Sequence, residues 1–372
     1  MLNTERHLNE FLKLIRISSP SKNEKSISQY LFHLFTDLGF NPEYDGSAPC
    51  TDCNSDNIII YIPGKTDSPV IMLSAHMDTV IPGDNIVPVV EDSYIRSDRT
   101  TILGADDKAG IAGIIEAVRI LKERNIPHLP LLIVFTCAEE IGLVGAKYLN
   151  LNHHKADYCY VLDSGGDIGT IVNQAPFQES FKVEIYGQAA HAGIEPEKGK
   201  SAIFAASRAI ASMEVGRIDH ETTVNIGLIS GGSATNIVPE LTSFKGEVRS
   251  LIEYKMEAEL SKIKTAIDKN CKLLGVKYSF FHKREYNGYS FTAADDPMKY
   301  LIAAIERAGI HHSIVYSGGG SDANVFNSIG IPSIVLGTGM ENVHTKEEKI
   351  SIKNLNNLVS VLLELATGYN DR

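Results

Sequence analysis

Residues 134–142 read VFTCAEEIG. Val134 to Cys137 have the β-branched and aromatic character of a buried strand, and that strand runs straight into two adjacent carboxylates, Glu139 and Glu140. Neighbouring residues of a regular strand point to opposite faces, so both side chains reach one place only if the strand ends and turns there, which the glycines of EEIGLVGA permit.

The surroundings repeat this pattern. The short runs NIIIYIP (57–63), VIMLSAH (70–76), LPLLIVFTCAEE (129–140) and YCYVLD (158–163) alternate with the helical AGIAGIIEAVRILKERN (109–125). Such alternation predicts an α/β layer fold with a largely parallel sheet, whose functional residues collect at the carboxyl ends of the strands. His76, Glu140 and Asp163 close three of those runs.

After about Pro176 the texture changes. FQESFKVEIYG, SAIFAASRAIASM, TTVNIGLIS, TSFKGEVRSL, YKMEAELSKIKTAIDKNCKLLG and KYSFFHKRE follow in the order β-α-β-β-α-β, a self-contained split-βαβ unit. From ADDPMKYLIAAIERAG onward the helix and short-strand alternation returns. The expected division is one α/β domain made of residues 1–175 and 291–372, interrupted by a lid domain over 176–290.

Composition removes several classes of function. With 372 residues the chain exceeds the size at which a single core stops growing, and 43% hydrophobic with 22% charged residues is a globular balance. No apolar run approaches the roughly 20 residues of a membrane span. A formal charge of −11 without a Lys/Arg block argues against nucleic acid or an anionic membrane as partner. The opening MLNTERHLNEFLKLIRIS places Glu, His and Arg among apolar residues at helical spacing, unlike a secretion signal, so a cytoplasmic address is expected. Five cysteines do not make a disulfide framework, and Cys50 and Cys53, lacking a second C-x-x-C, read as loop thiols.

The chemistry gathers at a few motifs. In LSAHMDTV, His76 and Asp78 share a face of an extended strand, so one can bind a metal while the other binds the first; a buried histidine satisfied by its neighbour is the plainer alternative. In GADDKAG, Asp106 and Asp107 precede a helix, where a cap is the plainer reading taken alone, but the pair falls between two strands that end in potential ligands, and a carboxylate can bridge two cations. One of Glu139 and Glu140 can ligate while the other stays free as a general base, against the alternative of two exposed loop glutamates. Asp163 ends a strand, and His344 follows the turn-rich LGTGM. Two histidines and three carboxylates form a ligand set of imidazole and oxygen, suited to two Zn²⁺ or a similar divalent pair.

HMDTV, GADDKAG, CAEEIGLVGA, VLDSG, GQAAHAG and NVHTKEE, in that order and spacing, resemble the M20 family of metallopeptidases, and specifically its peptidase T-like branch. The likeness covers nearly the whole chain and includes the inserted lid. It implies a zinc-peptidase-like α/β/α catalytic domain with a βαββαβ, ferredoxin-like lid that forms a homodimer. It further implies that Asp106 bridges two metals, that His76 and Asp163 complete one site, and that Glu140 and His344 complete the other. Asp78 would orient His76, Glu139 would be the general base, and the Asp106–Asp107 peptide would be cis.

His191, in GQAAHAG, matches the family histidine that reaches across the dimer to the developing oxyanion, while Asn236, Arg249, Gly319, Gly320 and Asp322 resemble substrate-contacting positions. The expected cofactor is two divalent ions per subunit, Zn²⁺ first, with Co²⁺ or Mn²⁺ accepted by the same donors. Metal coordination lowers the pKa of water from about 15.7 to roughly 7, so a bound hydroxide is the expected nucleophile, with Glu139 shuttling its proton to the leaving amine. The expected reaction is hydrolysis of short peptides at the N-terminal residue, as in a tripeptide aminopeptidase. An N-acyl amino acid amidohydrolase on the same metal core is the alternative, and a silent binding protein the third reading.

Overall fold

The computed structural model of the chain describes residues 2–64 and 68–368. By contact it divides into two units: residues 1–173, 290–316 and 321–372 form the first, and residues 174–289 with 317–320 form the second. The segment 317–320, which by sequence falls in the first unit, clusters with the second.

Four strands at the centre of the first unit run parallel: Leu131–Thr136, Ile71–His76, Tyr158–Gly165 and Ser333–Glu341, neighbours in that order. Every residue of the first two is buried, which is why these segments read as unbroken apolar runs rather than as alternating ones. The antiparallel strands Ile58–Ile62 and Pro42–Tyr44 extend the sheet to one edge, and Lys349–Ser351, Tyr94–Ser97 and Pro88–Glu91 extend it to the other.

The helix Ala105–Glu123 is buried along nearly its whole length and packs against the helices Thr4–Arg16 and Ile352–Thr367. Gly113 makes the last contact feasible, because a Cβ there would lie 2.9 Å from Leu358 Cδ2. Fully burying an Ile or Leu side chain contributes roughly 1.5–3 kcal/mol, and the core of this unit holds dozens of them.

In the second unit the strands Thr222–Gly231, Leu241–Ser250, Phe177–Tyr186 and Lys277–Tyr286 form an antiparallel sheet, with the two-residue strand Gly216–Arg217 at its edge. Helices Ala202–Ala211 and Glu253–Leu274 cover one face. Phe181, Val183 and Ile185, at alternate positions of their strand, pack there with Ala205, Ala209, Ile263 and Ile267. The order is β-α-β-β-α-β with one added edge strand. Among the described residues no helix is long and apolar enough to cross a membrane, and all five cysteines are free thiols, Cys53 partly covered and Cys137 fully buried.

Candidate metal centre

The four parallel strands bring their carboxyl ends to one place in the first unit. His76 is the last residue of its strand, Asp163 lies near the end of Tyr158–Gly165, and His344 follows Ser333–Glu341 after a short turn. Glu139 and Glu140 come just beyond Thr136, where the chain reverses: Ala138 adopts a left-handed φ of 49°, and the N–H groups of Gly142 and Leu143 donate to Glu139 O at 2.9 and 2.7 Å. This turn is what allows adjacent glutamates to serve one site. Asp106 sits at the start of the long helix, after Gly104 with φ 74°, and the Asp106–Asp107 peptide is cis.

Asp106 stands at the middle. Its Oδ1 lies 3.0 Å from His76 Nε2 and its Oδ2 lies 3.1 Å from His344 Nε2. Asp163 Oδ1 is 3.9 Å from His76 Nε2, and Glu140 Oε2 is 3.0 Å from His344 Nε2. Donor atoms of His76, Asp106 and Glu140 lie within 4.8 Å of one another, as do those of His76, Glu139 and Asp163.

The tautomer of His76 follows from its other nitrogen. Nδ1 is 2.9 Å from the main-chain oxygen of Asp78, which can only accept, so Nδ1 carries a proton. Nε2 faces the oxygens of Asp106 and Asp163, where it donates to Asp106 when the ring is an imidazolium and offers its lone pair to a cation placed between them when the ring is neutral. Asp78 approaches His76 more closely through its carbonyl than through Oδ1, which is 3.5 Å away. Its carboxylate also anchors the glutamate turn. Oδ1 accepts the Glu139 N–H at 2.9 Å, while Oδ2 accepts the Glu140 N–H at 3.3 Å and the Ser21 hydroxyl at 2.6 Å.

Burial of so many carboxylates strains their ionisation. Glu139 and Asp163 are pushed well above the usual range, first by desolvation and next by negative neighbours, and so is Asp107. Asp106 goes the other way despite its burial, because His344 and His76 hydrogen-bond to its charged form. His344 is pushed up to about 10 by its hydrogen bonds to Asp106 and Glu140. The buried Lys108 donates from Nζ to Ile17 O at 2.7 Å, and burial pushes its pKa down to about 7. Divalent cations answer this excess of negative charge, and the imidazole and carboxylate donors are those a zinc-like ion takes. The donor set fits a metal pair.

Several supporting contacts carry no signal in the sequence. Glu348 is fully buried and accepts three main-chain N–H groups, from Leu103 and Gly104 at 2.8 Å and from Asp106 at 3.1 Å. Glu24 accepts the Ala138 N–H at 3.0 Å, and Asp107 Oδ2 accepts the His76 N–H at 3.3 Å. Asp322, expected among the substrate contacts, is 2% exposed and accepts the Thr136 hydroxyl at 2.6 Å; that placement suits a support for the strand end better than a surface contact.

The other expected site residues belong to the second unit. His191 and Asn236 are exposed and lie on adjoining segments, joined by the His191–Ile237 bridge and by the Ala192 N–H donating to Asn236 O at 2.9 Å. Arg249 is half-buried and its Nε and Nη2 bind Glu247 at 2.9 and 3.2 Å. Gly319 adjoins it, since a Cβ there would lie 3.8 Å from Arg249 Nη1, and a Cβ on Gly320 would lie 2.3 Å from the ring of Tyr286.

Comparison with known proteins gives this geometry its context. Peptidase family M20/M25/M40 matches residues 72–368. The chain is 44% identical to the aminopeptidase PepT of Bacillus cereus, with 98% of each chain covered and a TM-score of 0.91. It is 38% identical to a tripeptidase of Staphylococcus aureus, again with 98% of each covered and a TM-score of 0.94. Peptidase T of Fusobacterium nucleatum is 30% identical over 329 residues, 84% of this chain and 77% of that protein. Six motifs, the two-unit fold and the full-length match agree: the chain belongs to peptidase family M20/M25/M40, and it is a metallopeptidase of the peptidase T-like branch.

Proposed function

We propose that this peptidase holds two divalent cations on His76, Asp106, Glu140, Asp163 and His344 and releases the N-terminal residue of short peptides, tripeptides above all. The observation that carries the reading is the pair of distances from the two oxygens of Asp106, one to each histidine. Bound there, zinc-like cations supply Lewis acidity for the peptide carbonyl and acidify water. Zn²⁺ is the proposed ion, and Co²⁺ and Mn²⁺ suit the same donors.

The chain's own residues do the rest. Glu139 takes a proton from the attacking water at a carboxylate oxygen and returns it to the leaving amine. Asp78 anchors the Glu139 main chain through its N–H, and its carbonyl keeps the proton of the His76 ring on Nδ1. Arg249, Asn236, Gly319 and Gly320 are proposed to contact the substrate, Arg249 through the free carboxylate of a short peptide. His191 is proposed to stabilise the oxyanion from the partner subunit of a homodimer, a role that full activity in a strictly monomeric sample would remove. A cytoplasmic location is part of the same proposal.

The test is a matched panel given to metal-reloaded protein: di-, tri- and tetrapeptides with free amino termini beside the same sequences N-acetylated. Cleavage confined to free tripeptides is the expected result. Cleavage confined to acetylated substrates would move the protein to amidohydrolase chemistry on the same metals.

A further inference from the structure

A second cluster of ligand-type side chains lies in the first unit, at the edge of its sheet, made by Glu43, His153 and His154. Donor atoms of all three lie within 4.8 Å of one another. Glu43 belongs to the edge strand Pro42–Tyr44 and pairs with Ile59, so its side chain shares a sheet face with Tyr61, two residues further along the neighbouring strand. The ring of His154 stacks on Tyr61, with centroids 5.5 Å apart, and the rings of His153 and His154 stand 4.2 Å apart. Sequence offers no hint of this, because two adjacent histidines in a polar loop look like surface residues.

The loop is built rather than loose. Asn150 donates its N–H to Asp45 Oδ2 at 3.2 Å, Asn152 takes a left-handed φ of 55°, and the His154 N–H closes a turn on Leu151 O at 2.9 Å. Within it the side chain of His154 is only 9% exposed, and its Nε2 is buried with no hydrogen-bond partner. A buried polar nitrogen left unpaired is costly and rare, and here it faces a carboxylate: Glu43 Oε1 is 3.5 Å away. Two ligands on one tetrahedral zinc at about 2.0–2.1 Å stand about 3.3–3.4 Å apart, so that pair already has the spacing a shared cation requires.

We propose that Glu43, His153 and His154 form a third metal site, for one borderline divalent transition-metal ion of the zinc class, fastening the 150–154 loop to the sheet edge. Two imidazoles and one carboxylate are too nitrogen-rich for calcium or magnesium, and they leave a fourth position for solvent. The site is separate from the cluster around Asp106 and does not depend on how many ions that cluster holds.

The experiment measures Zn²⁺ bound per chain, by equilibrium dialysis and elemental analysis, for untagged holoprotein and its Glu43→Gln and His153→Ala variants. Both substitutions replace side chains that reach solvent, and circular dichroism checks that the fold is retained. The reading is the difference between wild type and variant, so an error in the count at the Asp106 cluster cancels. One equivalent present in wild type and lost in both variants, with peptidase turnover unchanged, is expected. Equal metal content in all three proteins would overturn the proposal, as would an equivalent that either variant keeps.

Discussion

Replacing Glu348 by Gln keeps the size of a fully buried side chain and removes one of its two acceptors. Oε2 serves the N–H groups of Leu103 and Gly104, and Oε1 serves that of Asp106. A Gln oxygen can take only one of those places. With it on the side of the two donors, the amide NH₂ faces the Asp106 N–H and two buried donors oppose each other. Loss of a hydrogen bond to an ionised acceptor costs about 1.5–3 kcal/mol, and a buried donor left unsatisfied costs about 1–3 more, so about 2.5–6 kcal/mol in all is expected. In a domain of this size that lowers Tm by roughly 10 °C. Thermal unfolding of wild type and variant reads the stability, and metal titration reads the placement of Asp106, which should hold its ions more weakly once its N–H is released. A Glu348→Gln protein with Tm within about 2 °C of wild type and unchanged metal affinity would refute the claim that this carboxylate fixes the Asp106 turn.

Three further outcomes are expected. Glu139→Ala should lower kcat by about 10²–10⁴-fold while metal content stays at the wild-type value, and a near-normal rate would remove Glu139 as the base. Gly320→Ala drives a methyl group against the Tyr286 ring, so it should destabilise the second unit by about 1–3 kcal/mol; a neutral effect on unfolding would show that the ring can yield. His7 is buried and pushed down to about 4 by desolvation, so it is neutral in the fold and titrates near 6.5 when unfolded. Its contribution is therefore complete above about pH 6.5 and fades as pH falls toward about 4, by roughly 3 kcal/mol, and His7→Gln should flatten that part of the Tm-against-pH curve. An equally steep curve in the variant would contradict the assignment.

The parallel core was readable because its strands are buried on both faces and so appear as uninterrupted apolar runs. The positions of His76, Glu139, Glu140 and Asp163 were readable for a related reason: each is a polar residue at or near the point where such a run stops, whereas His344 follows a turn beyond its strand. The cis Asp106–Asp107 bond came only with the family resemblance, since nothing in two adjacent aspartates specifies it. Supporting contacts were out of reach. Glu348 meets Asp106 across 242 positions and Asp322 meets Thr136 across 186, and a sequence does not say which main-chain donors a buried carboxylate will answer. The Glu43–His153–His154 cluster was missed because its members come from an edge strand and a polar turn, with no periodicity to mark them.

The central claim is that Asp106 is shared between two ions. Anomalous diffraction from crystals of the zinc-loaded protein, collected on either side of the zinc absorption edge, tests it most directly. The account predicts two peaks in the Asp106 cluster, one against Oδ1 with His76 and Asp163, the other against Oδ2 with His344 and Glu140. A single peak there, or two peaks of which one does not touch Asp106, would contradict it.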